Sequence, residues 1–220
     1  ALPHYRVTEA SNRTLRAGDL LVLDSGGQYL DGTTDITRTL PVGTPGDAER
    51  TAFTRVLQGM IAISRLRFPE GLAGRDLDAL ARYHLWLDDC DYGHGTGHGV
   101  GVYSCVHEGP QRLSRLSEVP PGMILSNEPG YYREGAFGIR IENLIVVREA
   151  SPVTGGDGAT QIDFETITFA PIDRRLIRSD LLSAPERAWL DGYHAACRDK
   201  IGPLLSAPAR VWLQRQTAPL

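Results

Sequence analysis

Lysine is almost missing from this chain: among 23 basic residues in 220, Lys200 is the one lysine. The arginines are scattered and the formal net charge is −4, so no basic stripe is available and nucleic acid is excluded as the main partner. Cysteine is scarce too. Cys90, Cys105 and Cys197 make an odd set without a C-x-x-C pair, which excludes a disulfide framework and a zinc finger and fits a reducing compartment. No apolar run reaches the roughly 18 residues that a membrane-crossing helix needs, so no membrane partner is expected. The opening "ALPHYRVTEA" has no charged-then-apolar export pattern, and the expected location is cytoplasmic. It also lacks an initiator Met, so the sequence reads as processed or as a piece of something longer. No repeat of solenoid period and no low-complexity segment occurs.

What is present suffices for a packed core, with 41% hydrophobic and 23% charged residues. "GDLLVLDSGG" (18–27) reads as a strand. "YLDGTTDITRTLPVG" (29–43) follows it through a D-G turn with β-branched residues, which predicts a hairpin. Pro45 and Asp47 start a helix with apolar residues at 53, 56, 57, 60, 61 and 63. A second helix is predicted from about Arg75 to Trp86, with Leu77, Leu80, Ala81 and His84 or Leu85 on one face. "PGMILSNEPGYY" (121–132) and "FGIRIENLIVV" (137–147) read as two strands around "REGA", and "FETITF" (164–169) as another. Past Ala170 the pattern turns helical. Ser183 and Glu186 form a capping box, and Trp189, Tyr193, Cys197, Ile201 and Leu204 follow at helical spacing, a stripe read as plain packing. The expectation is an α+β body over 1–170, with 171–220 a helical extension packed on it or on a partner chain.

Acids sit where strands should not carry them. Asp24 and Asp35 fall in the first hairpin, Glu128 and Glu142 in the later one, all flanked by apolar residues. Four carboxylates buried together without compensation would cost several kcal/mol each, on the order of the penalty for any unpaired buried charge. Cations resolve the conflict, and two divalent ions about 3.5–4 Å apart can share two of the acids as bridges. Arg140 lies two residues from Glu142, on the same face of its strand, where it can orient a ligand carboxylate. A donor set of oxygens with one imidazole suits Mn²⁺ better than structural zinc.

In "YGHGTGHGVG" (92–101), five glycines between 93 and 101 make a helix untenable, at roughly 1 kcal/mol each relative to alanine. As an extended segment it places His94 and His98 on one side but ~13 Å apart, so one is expected at the metal cluster and the other toward substrate. The bare glycine side lets another backbone or a ligand approach. No register of G-x-G-x-x-G fits, and no G-K-[ST] is present, so the loop is not read as a nucleotide cradle.

Taken in order, "LDSGGQYLDGTTDITRT", "HGTGHGVG", "VHEGP", "NEPGYY" and "GIRIEN" resemble the catalytic domain of the aminopeptidase P (Xaa-Pro aminopeptidase) family. That family shares the pita-bread fold with prolidase and methionine aminopeptidase. The resemblance implies a dinuclear centre, most simply Mn²⁺ with Zn²⁺ or Co²⁺ as alternatives. Asp24 would bind one ion, His98 and Glu128 the other, and Asp35 and Glu142 would bridge, with a bridging hydroxide as nucleophile. His94 and His107 match substrate-holding, charge-stabilising histidines, and His4 a third active-site histidine. Glu128 would also carry a proton and Arg140 would orient a bridging carboxylate. His84 and His194 match nothing and are expected to be structural or exposed. The implied substrate is a peptide with proline second; prolidase activity on Xaa-Pro dipeptides, or a metal-free binding module, are the alternatives. The resemblance further implies a homodimer and an N-terminal part of the pita-bread domain that this chain lacks.

Overall fold

The computed structural model describes residues 2–220. A two-residue turn joins β1 (Leu20–Tyr29) to β2 (Gly32–Pro41), an antiparallel hairpin placing Asp24 opposite Thr37 and Gly26 opposite Asp35. Both acids therefore lie within their strands rather than at the ends, because Gly26 and Gly27 prolong β1 to the turn. Opposed residues and residues two apart share a face, so Asp24, Asp35 and Thr37 all point the same way. Helix α1 (Asp47–Ser64) buries Phe53, Val56, Leu57, Met60, Ile61 and Ile63. Next come β3 (Arg67–Pro69) and α2 (Gly74–Trp86), which packs on α1 through Leu77, Ala81 and Leu85. Leu80, expected on that face, is exposed instead.

The remaining strands are β4 (His98–Gly99), β5 (Glu108–Arg112), β6 (Ile124–Asn127), β7 (Gly130–Arg133), β8 (Phe137–Arg140), β9 (Asn143–Glu149) and β10 (Gln161–Thr166). An antiparallel sheet runs in the order β3-β10-β9-β6-β4-β5, and β7 and β8 form a hairpin of their own. Each of the two strands expected over 121–132 and 137–147 is thus cut in two. Pro129 has no N–H to give the ladder, and the two acids beside the cut turn toward other elements. The register is the same on both sides of the break, Asn127 opposite Asn143 and Gly130 opposite Arg140. Glu128 and Glu142 consequently face each other across one interrupted ribbon. Strand β10 begins three residues before the expected 164 and stops at Thr166.

Ser183 caps α3 (Ala184–Ile201) in the expected box with Glu186. That helix sends Leu190, Tyr193 and Cys197 into the core shared with α1, and α4 (Ala207–Gln216) follows. The packed stripe differs from the expected one at its end, since Leu204 is exposed. His194 is fully buried, its Nε2 accepting from the Ile172 N–H at 3.1 Å, so it is structural.

Candidate metal centre

Within 92–101, Gly97, Gly99 and Gly101 make room for neighbouring backbone. A Cβ at Gly97 would strike the Ser126 carbonyl oxygen, and one at Gly99 the Glu108 carbonyl oxygen. Only His98 and Gly99 are strand; the segment slots between β5 and β6 and is held by Leu113 N–H to the Gly97 carbonyl at 3.0 Å. This wedging delivers His98, 4% exposed, to the acids.

Those acids arrive from two ribbons. Asp35 comes from β2, and Glu128 and Glu142 from the break between β6–β7 and β8–β9. His98 Nε2 lies 3.4 Å from Asp35 Oδ2 and 3.3 Å from Glu128 Oε1. Ligand atoms of Asp35, His98 and Glu142 all fall within 4.8 Å of one another, a spacing that could hold a metal ion. His98 Nδ1 sits 2.9 Å from the Gly99 carbonyl; since a carbonyl only accepts, Nδ1 carries the proton and Nε2 is left to ligate. The Thr37 hydroxyl donates to Glu142 Oε2 at 2.7 Å, and the Ser126 hydroxyl to Glu128 Oε1 at 3.1 Å.

Arg140 joins the ribbons. Its Nη2 donates to Asp24 Oδ2 at 2.7 Å, its Nε to Thr37 Oγ1 at 3.2 Å, and its Nη1 to the Tyr132 hydroxyl at 2.8 Å and the Pro3 carbonyl at 3.0 Å. The last of these ties down the segment bearing His4, whose ring meets that of His94 edge-on, centroids 6.1 Å apart. His107 is exposed but stacks on His98, centroids 3.7 Å apart. A cavity of about 320 Å³ is lined by His4, Asp24, Asp35, His98, His107, Glu128, Arg140 and Glu142, among others. His94 stands one layer behind it. Its Nδ1 lies 2.9 Å from the Gly95 carbonyl, so its Nε2 accepts from the Tyr132 hydroxyl at 3.0 Å.

Electrostatics argue that the cluster is short of positive charge. Burial, aided by Glu128 and Asp35, raises the Glu142 carboxyl well above the usual range. Burial likewise lifts Glu128 to about 7, against the pull of His98 and Arg140. Burial works against the charge on His98, yet Asp35, the Gly99 carbonyl and Glu128 together hold its pKa above the ordinary value. In each case a proton stands where another cation would serve. Burial pushes His94 the other way, to about 4, so that ring is neutral. Donor chemistry, spacing and missing charge all fit divalent metal.

Sequence reasoning missed Thr37 and Tyr132. Alternation could have found Thr37, two residues from Asp35 on one face. No sequence signal separates Tyr132 from Tyr131, and both pack against the core. His84 stands on α2 with Nε2 3.6 Å from Glu186 Oε1, away from the cavity.

Residues 1–149 match the model of metallopeptidase family M24, and residues 160–220 that of the C-terminal region of peptidase M24. A Laccaria bicolor protein named "Probable Xaa-Pro aminopeptidase P" is 47% identical over 100% of this chain and 35% of its own length. Aminopeptidase P2 of Arabidopsis thaliana is 50% identical over 93% of this chain and 29% of its own. The chain thus spans about a third of the length of these relatives. The X-prolyl aminopeptidase of Caenorhabditis elegans, described as a cytosolic enzyme with a di-nuclear active site, superposes with a TM-score of 0.92 at 37% identity. It covers 99% of this chain and 36% of its own. The Xaa-Pro dipeptidase of Bacillus anthracis gives a TM-score of 0.63 at 32% identity, over 78% of this chain and 44% of its own. The fold is the pita-bread fold.

Proposed function

The chain belongs to metallopeptidase family M24, and from that premise we propose that it carries the active site of an aminopeptidase removing the N-terminal residue that precedes proline. The observation that carries this reading is the convergence of Asp35, His98, Glu128 and Glu142 on one cavity, with Asp24 held at its rim by Arg140. In this reading Asp24, Asp35, His98, Glu128 and Glu142 would hold two divalent ions, Asp24 on one, His98 and Glu128 on the other, and Asp35 and Glu142 shared. When bound, two such ions, Mn²⁺ before Zn²⁺ or Co²⁺, supply Lewis acidity toward the scissile carbonyl and hydroxide from a bridging water at neutral pH.

The chain's own groups do the rest. Glu128 faces the cavity beside His98, and in this reading it accepts a proton and returns it to the leaving nitrogen. Arg140 fixes Asp24 and, through Thr37, Glu142. His107 and His4 line the cavity, which supports reading them as substrate contacts. His94, neutral and bonded to Tyr132, orients that hydroxyl and with it the wall of the site. An Xaa-Pro bond has no N–H, so a site acting on the carbonyl through cations loses nothing at proline. The di-nuclear, cytosolic C. elegans enzyme supports two ions and a cytoplasmic location. A homodimer, and a further N-terminal part of the same protein, complete the proposal.

The test uses three peptides. Arg-Pro-Pro should be cut after its first residue, Arg-Ala-Ala hardly at all, and an Xaa-Pro dipeptide more slowly than the tripeptide. Preference for the dipeptide would identify a prolidase instead.

A further inference from the structure

Glu142 sits where the ladder between β8 and β9 is broken, so strand pairing does not fix its backbone. Two bonds do: its N–H donates to the Thr37 carbonyl at 3.1 Å, and its own carbonyl accepts from Arg38 Nη1 at 2.6 Å. The same Nη1 reaches the Thr37 carbonyl at 2.9 Å. Arg38 therefore clamps the two backbones that set where the Glu142 carboxylate and its Thr37 hydroxyl partner stand.

Arg38 is itself held from the far side of the molecule. Its Nε donates to the Pro171 carbonyl at 3.1 Å, and its Nη2 to the Ala170 carbonyl, to Asn143 Oδ1 and to the Tyr193 hydroxyl on α3. All six acceptors are neutral: four carbonyls, one amide oxygen and one phenol. A guanidinium buried among dipoles, with no carboxylate partner among the described residues, depends on each of them for its placement. Tyr193 ranks first among them, because its hydroxyl also accepts from the Ala170 N–H at 3.2 Å and so fixes the linker that supplies two more acceptors. Its ring is stacked on Trp189, centroids 5.2 Å apart and planes at 4°.

We infer that Tyr193, on the helix following the catalytic body, is a positioning residue for the metal ligand Glu142, acting through Arg38. The inference rests on the reading of Glu142 as a metal ligand. It assigns the C-terminal helix a part in holding the ion, where the sequence pattern alone reads as packing.

The test is Mn²⁺ affinity, measured on the metal-free full chain by competition with a chelating dye, for the parent, Tyr193→Phe and Glu186→Ala. Tyr193→Phe keeps the stacked ring and removes the hydroxyl. Glu186→Ala loosens the start of the same helix at its cap, remote from Arg38. Tyr193→Phe should weaken Mn²⁺ about tenfold, the low end for partners of metal ligands. Its kcat should fall at limiting Mn²⁺ and recover in excess, with KM unchanged, while Glu186→Ala binds Mn²⁺ like the parent. Unaltered affinity in Tyr193→Phe, or an equal loss in Glu186→Ala, would overturn the inference and leave the metal reading standing. A parent that takes up no Mn²⁺ would remove both.

Discussion

Thr37 and Glu142, 105 positions apart, share a 2.7 Å hydrogen bond in which the hydroxyl donates to the carboxylate while its oxygen accepts from the Arg140 guanidinium at 3.2 Å. The carboxylate is thus aimed by a neighbour that is itself oriented. Thr37→Val should keep the volume, leave Arg140 Nε without this acceptor, and free Glu142 to rotate. Metal affinity should fall about 10- to 100-fold, read by Mn²⁺ titration; an unchanged affinity would mean that the hydroxyl is incidental.

Glu142→Gln should separate function from stability. The buried carboxyl is raised well above its usual range, so without metal it penalises the fold at neutral pH. Metal-free Glu142→Gln is expected to resist denaturant better than the metal-free parent. In the proposed reading Glu142 holds both ions, so with Mn²⁺ present the order should invert and peptidase activity should vanish. Metal analysis and denaturant midpoints in both states check this.

The two histidines of the glycine segment should separate as well. His98→Ala removes a ligand and should lower metal content. His94→Ala should retain metal and lose turnover, by about 10²–10³-fold if the Tyr132 hydroxyl it orients meets developing charge. Equal metal loss in the two variants would refute the division.

Gly97→Ala and Gly93→Ala form a matched pair. The first drives a methyl into the Ser126 carbonyl, while the second meets open space. Overpacking against backbone should cost Gly97→Ala about 1–3 kcal/mol or more, and Gly93→Ala should be close to neutral. Soluble yield and denaturant midpoints read the difference.

His194 makes the stability depend on acid. Burial holds its folded pKa at about 4, below the usual 6.5. Between these values the unfolded chain binds the extra proton, so stability falls as pH drops from 6.5 toward 4, by about 3 kcal/mol in the limit. His194→Gln, which can still accept from Ile172, should flatten unfolding free energy against pH across that window. A slope equal to the parent's would rule His194 out.

The hairpin of β1 and β2, the first helix and the acids were legible because turn chemistry and misplaced charges are local signals. The spacing of the glycines announced a close backbone approach, and the collisions at Gly97 and Gly99 supply its reason. The break that brings Glu128 opposite Glu142 was hidden, since apolar runs on either side of Pro129 read as unbroken strand. Arg38 and Tyr193 were hidden for another reason. Their partners are carbonyls far along the chain, and nothing in a residue's identity reveals which carbonyl it will meet.

The shared register across the break reduces the freedom of the site. Asp24 and Asp35 ride on one ribbon, and Glu128 and Glu142 stand at the break of the other, which keeps one register on both sides. The four carboxylates therefore fall into two pairs, and the gap between ribbons sets how closely the pairs approach. Arg140, Thr37, Thr39 and Arg38 bridge that gap. Fitting an ion of different radius is then a matter of changing that gap, a change resisted by four side chains.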